Sequence, residues 1–198
     1  MAQQQQSKKN RTFKQKKQFV KQKQSVQKGT GVFIDFDAVP RDLSEDEVEE
    51  LFEAQPKTRK KKLPTHEFAD TQALNLHELH ELAEEEGFDD FVGRNRRDAL
   101  WELGTGWMAR REGVIAEGIL DTQTGGHHWL RVLANDYTPA ADDVYVPASL
   151  VEEYGLERGM VVRGPVRPAQ EGDKYFSIHA IETIDGGDPD AARGRAPI

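Results

Sequence analysis

Two residues on one predicted strand, Trp129 and Arg131, have side chains suited to binding a flat ligand that forms hydrogen bonds. Residues 128–133 read as a strand, in which positions i and i+2 share a face. Arg131 should lie outside, and it would bring Trp129 to the same outer face; the alternative is that Trp129 is a core residue. An exposed indole can stack on a nucleobase for about 1–3 kcal/mol, and a guanidinium can donate to acceptors on the base edge.

Further aromatic and acidic residues lie on or beside other predicted strands. Tyr145 lies within 144–146, Asp143 directly precedes it, and Tyr175 begins 175–184. Tyrosine rings also stack on bases, and a carboxylate can accept from the exocyclic amine of cytosine. Two ordinary alternatives remain: Tyr145 as a strand residue with a satisfied hydroxyl, and Asp143 with Arg131 as a surface ion pair of little energetic value.

The histidines do not form a convincing metal site. His127 and His128 are adjacent on a strand, so their side chains point to opposite faces. His77 and His80 lack the His-Glu-x-x-His spacing of a zinc helix. No phosphate-binding loop or nucleophile triad is present either, so we expect no catalytic residue, no metal and no cofactor.

Helical and strand patterns follow one another along the chain. Ser44 and Glu47 have capping-box spacing, which predicts a helix over 45–54. Helical periodicity extends from Leu76 to a C′ stop at Gly87, a short helix is expected at 89–91, and Asp98 is expected to cap another. The predicted strands are 114–120, 128–133, 144–146, 160–164 and 175–184, with a helical turn at 150–154. The fold class is therefore α+β: a small three-helix subdomain followed by a five-stranded OB-fold barrel.

Charge is distributed very unevenly over the 198 residues. The net charge is −8, yet nine of the 27 Lys and Arg residues and none of the 35 acidic residues lie within 1–28. This Lys- and Gln-rich arm predicts disorder, with phosphate attraction or solubilisation as its role. The chain has no cysteine and no apolar run long enough to span a bilayer, so we expect a cytoplasmic protein without a membrane partner.

Four sequence blocks in register carry a family resemblance. The blocks run from Asp142 to Pro147, from Gly155 to Gly159, from Gly164 to Pro168 and from Glu171 to Phe176. In order and spacing they resemble the RNA-binding region of the transcription termination factor Rho, with its cold-shock-like OB domain. The helical stretch from Leu76 to Asp98 resembles the subdomain that precedes this barrel in Rho.

The resemblance implies binding of pyrimidine-rich single-stranded RNA with a preference for cytosine. The matching positions are His127, Trp129, Arg131, Asp143, Tyr145, Asp173, Lys174 and Tyr175. The aromatic members would stack on bases, Arg131 and Asp143 would read a base edge, and Asp173 with Lys174 would shape the pocket beside Tyr175. His127 stands where the family has phenylalanine, which implies a weaker, pH-sensitive stack.

The expected domains are an arm at 1–30, an apolar patch with an acidic helix and basic linker at 31–70, helices at 71–111, the barrel at 112–184 and a linker-like tail at 185–198. Rho continues into an ATPase motor, whose phosphate loop this sequence lacks, so we expect no ATP hydrolysis.

RNA polymerase or a Rho motor are further candidate partners, and the oligomeric state stays open. The alternative function is a protein-interaction adaptor whose barrel has lost RNA readout, with the patch at 32–36 and the acidic helix as its working surface.

Overall fold

The computed structural model describes residues 35, 38–56, 63–88, 91, 93–123, 125–191 and 193. The basic arm, most of the 32–36 patch and the basic linker at 57–62 lie outside these residues. The described part combines helices with a largely antiparallel sheet, as the alternating patterns predicted.

Helix α1, Glu45–Ala54, begins at the predicted capping box. The side chain of Ser44 accepts from the Glu47 amide, and the Glu47 carboxylate accepts from the Ser44 amide. Val48 is buried, and the Phe52 ring meets the His179 ring edge-on with centroids 5.4 Å apart. This helix therefore packs against the rest of the described chain.

Three further helices follow α1 along the chain: α2 Phe68–Ala73, α3 Leu76–Glu85 and α4 Arg96–Ala109. The end of α3 is confirmed, since Gly87 adopts the left-handed φ of 73°. The expected Asp98 cap is wrong: Asn95 precedes α4, and its side chain accepts from the Asp98 amide at 2.9 Å. Of the short helix expected at 89–91, residues 89 and 90 lie outside the described part, and Phe91 is not helical.

The strands are β1 Thr65–Glu67, β2 Gly113–Gln123, β3 His127–Arg131, β4 Val144–Val146, β5 Val161–Pro165 and β6 Thr183–Ile184. Their order is β4-β3-β2-β5-β6, and β1 pairs in parallel with β2. Helix α5, Ala148–Tyr154, follows β4, and short 3₁₀ turns occupy Leu133–Asn135 and Pro189–Ala191.

The continuous strand expected over 175–184 is wrong. Only residues 177 and 178 form bridges before β6 begins at Thr183. The Tyr145 amide donates to the Phe176 carbonyl at 2.8 Å, and the Arg167 amide donates to the Ser177 carbonyl at 3.0 Å. This segment is thus bonded to β4 on one side and to the chain after β5 on the other, which brings Tyr175 close to β4.

One hydrophobic core joins the helices to the inner face of the sheet. Leu100 and Leu103 of α4 belong to the same buried cluster as Leu130 of β3 and Val144 and Val146 of β4. Alternation along β3 and β4 then directs Trp129, Arg131 and Tyr145 to the face opposite this core. Among the described helices, none combines the length and apolar character needed to cross a membrane.

Candidate functional site

Three of the predicted aromatic residues converge on the outer face of β3 and β4. Trp129 and Tyr145 are paired in the antiparallel register of these strands, with ring centroids 5.4 Å apart. Tyr175 reaches the same place, with its ring centroid 5.0 Å from that of Trp129. Both contacts are edge-to-face, with interplanar angles of 71° and 70°. We call Trp129, Tyr145 and Tyr175 the aromatic triplet.

The position of Tyr175 is fixed by its neighbour Phe176, which points the other way into the core. The Phe176 ring stacks on Trp101 of α4 at 4.5 Å and meets Phe68 of α2 edge-on at 5.2 Å. Gly104 allows this packing, because a Cβ there would lie 2.6 Å from the Phe176 ring. Helices α2 and α4 thereby fix the loop that carries Tyr175.

The triplet is buried, although it lies outside the main core. Trp129 is 1% exposed, and Tyr145 and Tyr175 are each 6% exposed. None of the three belongs to the core cluster beneath the sheet. Part of what covers them precedes α1: the Asp35 amide lies 3.3 Å from the Tyr175 hydroxyl, and the Ala38 carbonyl accepts from the Lys174 amide at 3.2 Å. The three rings lie on the outer face of the sheet, where Trp129 was predicted, but they are buried from solvent.

Arg131 and Asp143 also come together, and both are buried. Arg131 was expected outside, yet its guanidinium bonds to the Asp143 carboxylate and to Asp121, the latter at 3.0 Å. Removing one partner of such a pair costs about 3–5 kcal/mol, because the other charge is left unsolvated. The pair is therefore a buried structural contact at the sheet, and not the exposed, weak ion pair that the sequence allowed.

One atom of this pair has no partner among the described residues. Asp143 Oδ2 accepts from Arg131 and from the Ala140 amide at 2.7 Å, whereas the buried Oδ1 accepts from nothing there. Trp129 Nε1, a donor only, is likewise buried without a partner in the described part. Burial raises the pKa of Asp143 to about 7, although Arg131 beside it lowers that pKa. A free acceptor and a free donor thus stand next to the rings.

Asp173 and Lys174 shape the loop that leads to Tyr175. Asp173 Oδ2 accepts from Arg167 at 3.0 Å and from the Gln170 amide at 2.9 Å, which fixes the turn. Lys174 is exposed, and its Nζ lies 2.8 Å from the Asp35 carboxylate. Asp173 therefore positions the loop from within, while Lys174 provides a positive charge at its surface.

His127 stands at the edge of the triplet, with its ring centroid 6.4 Å from that of Tyr145. His128 contacts Thr122 at 3.0 Å, and burial is the main reason that its pKa is lowered. No cluster of three His, Asp or Glu side chains in the described ranges could hold a metal ion.

Two residues of the site were missed from the sequence. The Arg97 guanidinium lies over the Tyr175 ring, 5.8 Å from its centroid, and donates to the Lys174 carbonyl. Asp121 is the second carboxylate on Arg131 and pairs in register with Trp129. The register of a β2–β3 hairpin would have placed Asp121 opposite Trp129. No sequence pattern indicates Arg97, because it reaches Tyr175 only through tertiary packing.

Comparisons with known proteins point in the same direction as this geometry. Residues 116–190 match the family described as Rho termination factor, RNA-binding domain. The transcription termination factor Rho of Rhodopirellula baltica is 28% identical over 173 residues, which are 83% of this chain and 33% of that protein. The Rho of Fibrobacter succinogenes is 33% identical over 122 residues, covering 62% of this chain and 17% of that protein.

The Rho of Bacillus subtilis is 28% identical over 123 residues, covering 62% of this chain and 28% of that protein. The chain thus spans about a third or less of the length of these relatives. The family match includes every predicted site residue from His127 to Tyr175. Residues 116–190 are therefore similar to the RNA-binding domains of Rho termination factors.

Proposed function

We propose that this chain binds single-stranded RNA, with a preference for cytosine, as the RNA-binding part of a Rho-type transcription termination factor. The observation that carries the proposal is the convergence of Trp129, Tyr145 and Tyr175 on one face. Asp143, whose Oδ1 has no partner in the described residues, lines a small pocket together with Tyr175. Aromatic rings supply stacking surfaces that accept any base. A carboxylate oxygen at their edge discriminates in favour of a base that carries an amine.

The finer architecture supports this proposal. We interpret residues 113–184 as an OB-type barrel, preceded by a helical subdomain formed by α2, α3 and α4. In support, residues 176–178 bond to β4 on one side and to the chain after β5 on the other, which brings the two ends of the sheet together. OB folds bind oligonucleotides across the face that carries their second and third strands, here β3 and β4.

The proposed roles divide the site into two parts. The aromatic triplet stacks on bases, with His127 at its edge; Asp143 accepts from the cytosine amine, and Arg131 holds that carboxylate in place. Lys174 and Arg97 attract the phosphate backbone at the exposed end beside Tyr175. RNA polymerase or a Rho-type motor in the cytoplasm remains the proposed partner beyond RNA.

A direct test is titration of the full chain with oligocytidine and oligoadenine of equal length at one salt concentration. We expect tighter binding of oligocytidine, and we expect Tyr145→Ala and Tyr175→Ala each to weaken it by about 1–3 kcal/mol. Tyr145→Phe is the matched control, because it keeps the ring and should keep the affinity. Equal affinity for the two oligomers would rule out base selection, and an absence of binding would favour the adaptor alternative.

A further inference from the structure

A segment of the chain before α1 contacts residues of the aromatic site. We call Asp35 together with residues 38–42 the cover segment, in which Ala38 and Pro40 are buried. Because Trp129, Tyr145 and Tyr175 are each at most 6% exposed, a base cannot stack on them until neighbouring atoms move.

The cover segment is held at both ends of the site. At one end the Asp35 carboxylate pairs with Lys174 at 2.8 Å, and the Asp35 amide meets the Tyr175 hydroxyl. At the other end Asp42 Oδ2 accepts from the Ser149 amide at 3.0 Å, at the start of α5. The negative charge of Asp42 also acts on Tyr145, adding to the burial that raises the pKa of that hydroxyl. The segment therefore extends from Tyr175 to the neighbourhood of Tyr145.

The chemistry of these anchors resembles that of the proposed ligand. Asp35 places an anion on Lys174, where a phosphate of bound RNA would be attracted. Asp42 places a second anion near His128, whose pKa it raises against the lowering effects of burial and His127. The carboxylates of Asp35 and Asp42 thus occupy positions that backbone phosphates of bound RNA could take, and Ala38 and Pro40 between them are buried.

The anchors are also weak enough to be released. Lys174 and Asp42 are exposed, and exposed ion pairs and hydrogen bonds of this kind contribute little to stability. A ligand that stacks on three rings can therefore displace the segment, whereas a ligand that offers charge alone gains too little.

We propose that Asp35 and residues 38–42 form an autoinhibitory cover of the RNA site, which competes with RNA and is displaced by pyrimidine-rich strands. This inference rests on the proposed function, whose site it regulates. The apparent affinity for RNA is the intrinsic affinity multiplied by the fraction of molecules whose site is open. The cover therefore favours ligands that gain stacking energy over ligands that bind through phosphate contacts alone.

The test compares the double variant Asp35→Asn/Asp42→Asn with the wild-type full chain by titration with oligocytidine. We expect the double variant to bind about three- to tenfold more tightly, because its site is open more often. Glu50→Gln/Glu53→Gln is the matched control: it also removes two negative charges, but from exposed positions on α1. We expect the control to bind like wild type.

If the wild type and the Asp35/Asp42 variant bind oligocytidine equally well, the proposed cover is refuted while RNA binding stands. The same holds if the variant gains no more affinity than the control. An absence of oligocytidine binding by all three chains overturns the proposed function and the cover together. Amide hydrogen exchange supplies an independent readout in the wild-type chain. Oligocytidine should speed exchange at the Ser149 amide by freeing it from Asp42, and unchanged or slower exchange contradicts displacement.

Discussion

At the residue scale, the decisive group is the Asp143 carboxyl. One of its oxygens accepts hydrogen bonds from Arg131 and the Ala140 amide, and the other is buried without a partner in the described residues. The sequence indicated that Asp143 and Arg131 could form an ion pair, and the structure brings their side chains into contact. The sequence could not predict their burial, because burial depends on Asp121 and on the residues that cover the rings.

The raised pKa of Asp143 gives a prediction for pH. Its ordinary pKa of 3.8 is raised to about 7, so folding favours the neutral form. The contribution of Asp143 to the free energy of unfolding is therefore largest below pH 3.8 and declines as the pH rises towards 7. For binding, the ionised carboxylate accepts from cytosine, whereas the neutral acid can donate to the O4 atom of uracil.

Lowering the pH from about 8 to about 6 should therefore reduce the ratio of oligocytidine to oligouridine affinity by up to about tenfold. Titrations at constant ionic strength measure this ratio. Asp143→Asn cannot change its charge, so its ratio should stay flat over the same interval. A wild-type ratio that is independent of pH would show that Asp143 does not read the base edge.

At the element scale, helix α4 determines where Tyr175 stands. Two glycines lower the helix propensity of this segment, and the structure explains both by packing. A Cβ on Gly104 would lie 2.6 Å from Phe176, and one on Gly106 would lie 2.0 Å from Phe88. Phe176 is buried between Trp101 and Phe68, whereas Phe88 is only partly buried and can yield.

Gly104→Ala should therefore cost more than Gly106→Ala, even though the second shows the closer approach. Alanine gains about 1 kcal/mol in helix propensity at either position. Displacing a packed ring costs about 1–3 kcal/mol, so we expect Gly104→Ala to be destabilising and Gly106→Ala to be near neutral. Urea unfolding of both variants measures the difference. The reverse order would show that Phe176 is not confined as described.

Other elements show which signals the sequence carries. The capping box at Ser44 predicted α1, because a cap is local chemistry. Asn95 caps α4 in place of Asp98, since the helix begins three residues earlier than a cap at Asp98 implies. Strand β1 has three residues and pairs with β2 from 48 positions away, Thr65 opposite Gly113. No local pattern could indicate that pairing, or the bends that break the strand expected over 175–184.

At the scale of the whole molecule, a general attraction for nucleic acids and a specific binding site belong to different parts of the chain. The nine basic residues within 1–28 can attract any nucleic acid, while the remaining chain is strongly acidic. In the proposed function, the aromatic triplet stacks on bases of any kind, and Asp143 selects among them. Contact between a base and these rings is therefore the central claim.

Ultraviolet crosslinking of oligocytidine to the full chain, with adducts mapped by mass spectrometry, tests that contact most directly. The account predicts adducts on Trp129, Tyr145 or Tyr175, with their yield raised in the Asp35→Asn/Asp42→Asn variant. Adducts confined to residues 1–28, with none on the aromatic triplet in either chain, would contradict it.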